Sequence, residues 1–237
     1  STPLAQVFGV SHASSEMGGD LIDAISRSGV TDSLGPAGAT TRPGPELDIF
    51  LADISGHGVG AGIVMAMLKS SLRTLLLRDC PLDRVLTDAN LVLEQLTRPE
   101  MFATLACVRL RARNESSPRT QLEYALAGHL PIWLFRAADA RVEELPNEHL
   151  PLGIEPSESF HAGATALSPG DTAFLFTDGL TEVQSPAGRE LGLEALRAVF
   201  AAHATRPLPE LAATLLGAAR AHGTQLDDQS IVLVRAV

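Results

Sequence analysis

The stretch Leu47-Asp-Ile-Phe-Leu-Ala-Asp53-Ile-Ser-Gly-His-Gly58 decides the fold of this chain. Its first seven residues are mostly apolar and end in a carboxylate, as is typical of a strand that runs into a turn. The glycines that follow predict a tight turn, and residues 59 to 79 carry helix-forming residues at helical spacing. The segment therefore predicts a strand, a turn and a helix, with Asp53 at the end of the strand.

Other predicted elements lie on both sides of this segment. Residues 101 to 112 and 119 to 127 predict a hairpin around the polar loop 114 to 118, and Ile132–Phe135 and Val142–Leu145 are expected to extend the same meander. Thr172–Thr177 and Ser230–Val237 are further predicted strands, residues 191 to 203 and 208 to 222 are predicted helices, and residues 28 to 45 and 148 to 166 are predicted surface loops. Strands in hairpins with helices in separate blocks favour an α+β layered sandwich of antiparallel sheets covered by helices, rather than a doubly wound α/β fold.

Composition limits the classes of protein to consider. A chain of 237 residues, 45% hydrophobic, fits one domain over residues 1–237. A net charge of -10 argues against a nucleic-acid partner. The longest apolar stretches are interrupted by Lys69, Arg73 and Arg78, so we expect no membrane span and a cytoplasmic location. Cys80 and Cys107 lie far apart in apolar surroundings and are predicted to be buried free thiols.

Aspartates recur where predicted strands meet turns. They are Asp20 after two glycines, Asp53, Asp178 in Thr177-Asp-Gly179, and the pair Asp227 and Asp228 before the last strand. Hard oxygen ligands of this kind suit Mg²⁺ or Mn²⁺. Two carboxylates ~4 Å apart would repel by about 4 kcal/mol at an effective dielectric near 20, and a pair of divalent ions would remove that penalty. With Asp53 bridging two such ions, a water between them would lose its proton and attack a phosphorus.

Each motif also has a simpler interpretation. Thr177-Asp178-Gly179 alone is ordinary turn chemistry, and Asp227-Asp228 could equally be a solvated turn. Gly18-Gly19-Asp20 invites comparison with GGDEF nucleotide cyclases but continues into Leu21-Ile22 instead of the acidic and aromatic residues. The glycine-rich turn after Asp53 lacks the lysine of a Walker A loop.

Three polar side chains near these motifs have the chemistry of catalytic groups. His57 could give a proton to the leaving serine oxygen, although a local structural role is favoured. His129, in Ala127-Gly-His-Leu-Pro131, is predicted to be a turn histidine with its hydrogen bonds satisfied. Ser55 has no recognisable triad around it and is not expected to be a nucleophile.

Taken in order, GGD, DISGHGVGAGIVMAML, MFATLACV, YALAGHLPIWLF, LSPGDTAFLFTDGLTE and DDQSIVLV resemble the SpoIIE/RsbU-type branch of the PPM protein phosphatases over almost the whole chain. The resemblance implies an αββα sandwich, two Mn²⁺ or Mg²⁺ ions, and hydrolysis of phosphoserine or phosphothreonine in a partner protein. It makes Asp20 and Asp53 catalytic residues as well as metal ligands. The remaining ligands would be the Ile54 carbonyl, Asp178 and Asp227, with Asp228 as the alternative to Asp227. Glu182 would hold metal-bound water.

In this branch the usual substrates are phosphorylated anti-sigma-factor antagonists of the STAS type, whose dephosphorylation switches a stress or developmental response. One departure is that residues 1 to 20 contain no Arg to match the wider family's phosphate-binding arginine. Two other functions stay open: a non-catalytic module that uses the same fold to bind a partner, and a two-metal hydrolase that acts on phosphodiesters.

Overall fold

The computed structural model describes residues 4–14, 18–26, 39–41, 46–56, 58–78, 80–96, 101–114 and 117–237. Its centre consists of two antiparallel sheets. The first contains, in spatial order, β3 (Ala39–Thr41), β1 (Ala5–His12), β11 (Gln229–Ala236), β10 (Thr172–Phe176), β7 (Ile132–Arg136) and β8 (Arg141–Leu145). The second contains β2 (Asp20–Ser26), β4 (Glu46–Ile54), β5 (Ala103–Asn114), β6 (Ser117–Ala127) and β9 (Gly163–Leu167).

Helices cover the outer face of each sheet. The second sheet packs against α1 (Val59–Leu77) and α2 (Leu82–Leu96), and the first against α3 (Gly192–His203) and α4 (Leu208–His222). A third core fills the space between the sheets. The predicted α+β layered sandwich, in αββα order, is confirmed.

The decisive strand β4 is apolar on both faces because it is covered on both. Alternate side chains point to opposite sides of a strand. One set packs between the sheets and the other under α1 and α2: Leu47, Ile49 and Leu51 in the first case, and Phe50, Ala52 and Ile54 in the second. The strand is thereby held rigidly up to its last residues, where Asp53 lies.

Helix α1 is long and apolar enough to cross a membrane by length and composition. One of its faces is nevertheless buried in the core, through Ala61, Val64, Leu68, Leu72 and Leu76. Its Arg73 and Lys69 also form ion pairs with Asp23, a fully buried carboxylate of β2. These contacts are those of a core helix in a layered sandwich.

The prediction that β7 and β8 extend the meander of β5 and β6 is wrong. β7 pairs with β10 and β8 in the first sheet, whereas β6 pairs with β5 and β9 in the second. The chain changes sheets in Ala127-Gly-His-Leu-Pro131, where Gly128 has φ +61°.

Several other expectations need correction. The predicted loop 28–45 contains the short strand β3, and the predicted loop 148–166 overlaps with β9, which ends at Leu167. Cys107 is a buried free thiol as predicted, but Cys80 is only partly buried. A single domain over residues 1–237 stays a prediction.

Candidate metal centre

Asp20 and Asp53 lie side by side at the ends of β2 and β4. They are directly opposed in the antiparallel pairing of these strands. A Cβ at Gly19 would lie 2.6 Å from the Ile54 carbonyl oxygen, 3.2 Å from Asp53 Oδ1 and 3.3 Å from the Gly56 carbonyl oxygen. Carboxylate and carbonyl oxygens therefore converge around a position where only glycine leaves space.

The first sheet brings the other acidic residues to the same end of the sandwich. Asp178 begins a short 3₁₀ helix, Asp178–Leu180, directly after β10, and Asp227 and Asp228 precede β11. A Cβ at Gly179 would lie 2.0 Å from the Asp228 carbonyl oxygen, so glycine is needed for these two turns to approach each other. Thr177 Oγ1 donates to Asp20 Oδ2 over 2.8 Å and so connects the two sheets.

The structure gives the neighbours Asp227 and Asp228 different environments. Asp228 is buried, and its carboxylate accepts hydrogen bonds from Ser14 N (2.7 Å), Ser14 Oγ (3.0 Å) and Asp20 N (3.3 Å). Asp227 is exposed, and its charge raises the pKa values of Asp53 and Asp178. Asp228 thus holds the surrounding backbone, whereas Asp227, whose Oδ1 accepts from Asp228 N over 2.7 Å, is the more accessible carboxylate of the two.

Burial and mutual repulsion raise the pKa values of the central carboxyl groups. Burial is the main cause of the rise in the pKa of Asp20 from 3.8 to about 8, with Asp53 adding to it and hydrogen bonds from Ser230 and Thr177 opposing it. The pKa of Asp53 rises to about 7, first through burial and then through Asp178, Asp227, Asp228 and Glu182. Such groups favour a bound proton or a nearby cation over an uncompensated charge.

The pKa values of two further acidic residues are raised by burial and by neighbouring carboxylates. The pKa of Asp178 is raised by burial and then by Asp227. The exposed Glu182 has its pKa raised by partial desolvation and then by Asp178, Glu190 and Asp227. The structure thus brings Asp20, Asp53, Asp178, Asp227 and Glu182 into one electrostatic cluster, with the Ile54 carbonyl beside it.

In the part of the chain that the structure describes, no three His, Cys, Asp or Glu side chains converge closely enough to complete a metal site as they stand. The fit to Mg²⁺ or Mn²⁺ rests on the oxygen-only donor set and on the cradle around Gly19. His57, considered above as a proton donor, lies outside the described residues.

Two other polar side chains of the turns have structural partners. Ser55 Oγ accepts from Phe102 N over 2.9 Å, which agrees with a structural role. His129 is buried, and its Nδ1 lies 2.8 Å from Thr104 Oγ1, but its Nε2 has no partner within hydrogen-bond geometry among the described residues. The prediction of a fully satisfied turn histidine is therefore only half right.

Two depressions meet at Asp178. A small pocket of about 70 Å³ is lined by Asp53, Thr104, Gly128, His129, Leu130, Thr177 and Asp178. A wider groove of about 540 Å³ shares Leu130 and Asp178 with it and continues past Glu182, Leu191 and Leu193. The acidic cluster is therefore open to a ligand along this groove.

The fold is similar to those of solved protein structures. The SiaA-PP2C domain of Pseudomonas aeruginosa superposes with a TM-score of 0.78 at 19% identity, over 98% of this chain and 86% of that one. The structure of the RsbU and RsbW domains of a Mycobacterium tuberculosis protein gives a TM-score of 0.71 at 25% identity, over 99% of this chain and 61% of that one. The architecture is that of the PP2C/PPM phosphatases.

Sequence similarity narrows the class. The family described as Stage II sporulation protein E (SpoIIE) matches residues 43–237, and this chain belongs to it. It is 30% identical over 142 residues to phosphoserine phosphatase RsbU of Bacillus subtilis, which is 60% of this chain and 41% of that protein. The chain thus spans about two fifths of the length of that relative.

Proposed function

We propose that this domain is a metal-dependent protein serine/threonine phosphatase that hydrolyses phosphoserine or phosphothreonine in a regulatory partner protein. The observation that carries the proposal is the cluster of acidic side chains from both sheets. In it, the charges of Asp178, Asp227 and Glu182 add to burial in raising the pKa of Asp53. Four negative groups at the end of a buried sandwich are poorly tolerated without cations. The family membership gives the cluster its chemistry.

Asp20, Asp53, Asp178, Asp227 and the Ile54 carbonyl would hold the cations, two Mn²⁺ or Mg²⁺ per site. When bound, these ions supply a nucleophilic water and neutralise phosphoryl oxygens. A solved structure of RsbX, similar in fold to this chain, is a complex with magnesium.

The protein's own residues fix this arrangement. Thr177 donates to Asp20 Oδ2 and orients that carboxylate. Asp228 accepts from Ser14 and from the Asp20 backbone, and so fixes the start of β2. Glu182 lies at the exposed side, where its carboxylate would hold water at the site.

The groove beyond Asp178 supports a protein substrate. It offers apolar contacts through Leu130, Leu191 and Leu193 to residues on either side of a phosphorylated serine or threonine. The similarity to RsbU suggests a phosphorylated anti-sigma-factor antagonist of the STAS type as substrate, with a role in stress signalling in the cytoplasm. Net charge of -10 argues against nucleic acid as the partner.

The non-catalytic alternative, a binding module on the same fold, would be favoured by loss of a ligand aspartate. Asp20, Asp53, Asp178 and Asp227 are all present. Phosphodiester hydrolysis is less favoured because the chain has 18 basic against 28 acidic residues.

The test is phosphate release from a phosphoserine protein with and without Mn²⁺, for wild type, Asp53→Asn and Asp139→Asn. Asp139 is an exposed carboxylate paired with Arg141, so Asp139→Asn controls for the loss of one negative charge. We expect Mn²⁺-dependent turnover in wild type and Asp139→Asn and at least a hundredfold loss in Asp53→Asn. Equal rates in wild type and Asp53→Asn, or faster turnover of a phosphodiester than of a phosphomonoester, would refute the proposal.

A further inference from the structure

The acidic cluster depends on how the two sheets lie against each other. Asp20 and Asp53 belong to strands of the second sheet, whereas Asp178 and Asp227 lie next to β10 and β11 of the first. A small displacement of one sheet against the other would change the distances between the two pairs of carboxylates. Contacts that connect the sheets at this end therefore bear directly on cation binding.

His129 is located where such a contact is required. It lies in the turn by which the chain passes from β6 in the second sheet to β7 in the first. The turn is itself well fixed: Gly128 N donates to the His149 carbonyl over 3.0 Å. A Cβ at Gly128 would lie 2.4 Å from Pro151 Cγ, so the backbone is packed tightly against the following loop.

The imidazole of His129 contacts a residue that pairs with one acidic group and shares a pocket with another. Nδ1 lies 2.8 Å from Thr104 Oγ1, and Thr104 is directly opposite Asp53 in the pairing of β4 with β5. On the other side, the ring lines the small pocket that Thr177 and Asp178, directly after β10, also line.

The protonation state of the ring suits the contact with Thr104. Burial lowers the pKa of His129 from 6.5 to about 4, so the imidazole is neutral at physiological pH. A neutral imidazole has one acceptor and one donor nitrogen on a rigid ring. Nδ1 can then accept from the Thr104 hydroxyl, which leaves the Nε2 hydrogen without a partner among the described residues.

We propose that His129 is a positioning residue of the metal centre: from the turn that joins the two sheets it holds Thr104, the partner of Asp53 in the strand pairing, at the pocket that both residues share with Asp178. The inference rests on the proposed function, because it concerns the same cation site. It assigns His129 no contact with substrate and no proton transfer. Residues that orient ligands in this way typically contribute 10- to 100-fold to metal affinity.

The experiment is calorimetric titration of Mn²⁺ into wild type, His129→Asn, Thr104→Val and the double variant. Asparagine is polar but lacks the rigid ring that presents Nδ1 to Thr104, and valine removes the hydroxyl of Thr104 while keeping its shape. We expect each single variant to bind Mn²⁺ about tenfold more weakly. The double variant should be no weaker than the weaker single variant, because both changes break one connection.

Thr172→Val is the matched control. Thr172 is a threonine whose hydroxyl also forms a side-chain hydrogen bond, which it accepts from Arg235 Nε over 2.9 Å. It is fully buried whereas Thr104 is half-buried, and it lies at the other end of β10. We expect it to lower the melting temperature and leave Mn²⁺ affinity unchanged. Melting curves of all variants show whether they fold. If His129→Asn does not fold, the Mn²⁺ affinity of Thr104→Val tests the proposal.

The titration distinguishes failure of the positioning role from failure of the proposed function. Mn²⁺ affinities within twofold of wild type in folded Thr104→Val and His129→Asn would overturn the positioning role alone. Wild-type protein that takes up no Mn²⁺ would overturn the proposed function and this inference together.

Discussion

Replacing Asp53 by asparagine should stabilise the cation-free protein while it abolishes function. The pKa of Asp53 is raised from 3.8 to about 7, a rise of about 3 pH units. At about 1.4 kcal/mol per pH unit, the ionised carboxylate destabilises the folded state by at most about 4 kcal/mol. Because Asp20 titrates in the same range and the two groups interact, we expect about half of this, about 2 kcal/mol, to be recovered in Asp53→Asn.

The sign of this effect depends on pH. Between pH 3.8 and about 7 the folded wild type retains a proton that the unfolded chain releases, so its stability falls as pH rises through this range. Asparagine does not titrate, and the advantage of Asp53→Asn should be absent at pH 4 and complete at pH 8. The measurement is urea unfolding at pH 4, 6 and 8 in the presence of a chelator.

A control and a second condition make this prediction specific. Asp139→Asn removes an exposed carboxylate and should change stability by less than about 0.5 kcal/mol at each pH. Adding Mn²⁺ at pH 8 should stabilise wild type and leave Asp53→Asn unchanged. If Asp53→Asn is equally or less stable than wild type at pH 8 without cations, the electrostatic reasoning about the cluster is wrong.

Two other predictions concern buried charge. Asp48 and Arg109 form a buried ion pair across β4 and β5, and Asp48→Asn should destabilise the protein by about 3 kcal/mol in urea unfolding, because a buried guanidinium loses its carboxylate; a loss below about 1 kcal/mol would contradict this. Burial lowers the pKa of His129 from 6.5 to about 4. Between these two pH values the folded state binds fewer protons than the unfolded chain, so the free energy of unfolding falls as the pH decreases from 6.5 to about 4. The difference between the wild-type and His129→Asn stability curves should therefore change by up to about 3 kcal/mol between pH 7 and pH 4, and a flat difference curve would refute the reasoning.

The sequence predicts best those parts of the fold that local chemistry determines. β4 and its turn into α1 were predicted because an apolar run, a carboxylate and several glycines follow one another. Strands β5, β6, β7, β8, β10 and β11 and helices α3 and α4 were predicted within a few residues of their ends. The acidic residues were predicted together because each occurs at the end of a strand.

Other elements were missed for identifiable reasons. α2 has a clear helical period, with Leu82, Val85, Leu86, Ala89 and Leu93 buried, and this pattern could have been found. β9, Gly163–Leu167, is composed of small residues with weak strand preference, and its formation depends on pairing with β6. Local sequence does not state which sheet a strand joins, so the change of sheet after β6 was not predicted.

The same limit applies to the site. The different environments of Asp227 and Asp228 arise from contacts with Ser14 and Asp20, more than 200 residues away in the chain. The contact of His129 with Thr104 joins β5 to the turn after β6, which no local pattern indicates.

The last strand of the chain, β11, lies between β1 and β10 inside the first sheet, with Asp227 and Asp228 directly before it. During synthesis on a ribosome, a chain that lacks residues 229–236 has two unpaired strand edges where this sheet should be continuous. The domain can therefore neither close its sandwich nor gather its cation ligands until residues 229–236 have left the ribosome, and a truncation before residue 229 would leave the first sheet divided between β1 and β10.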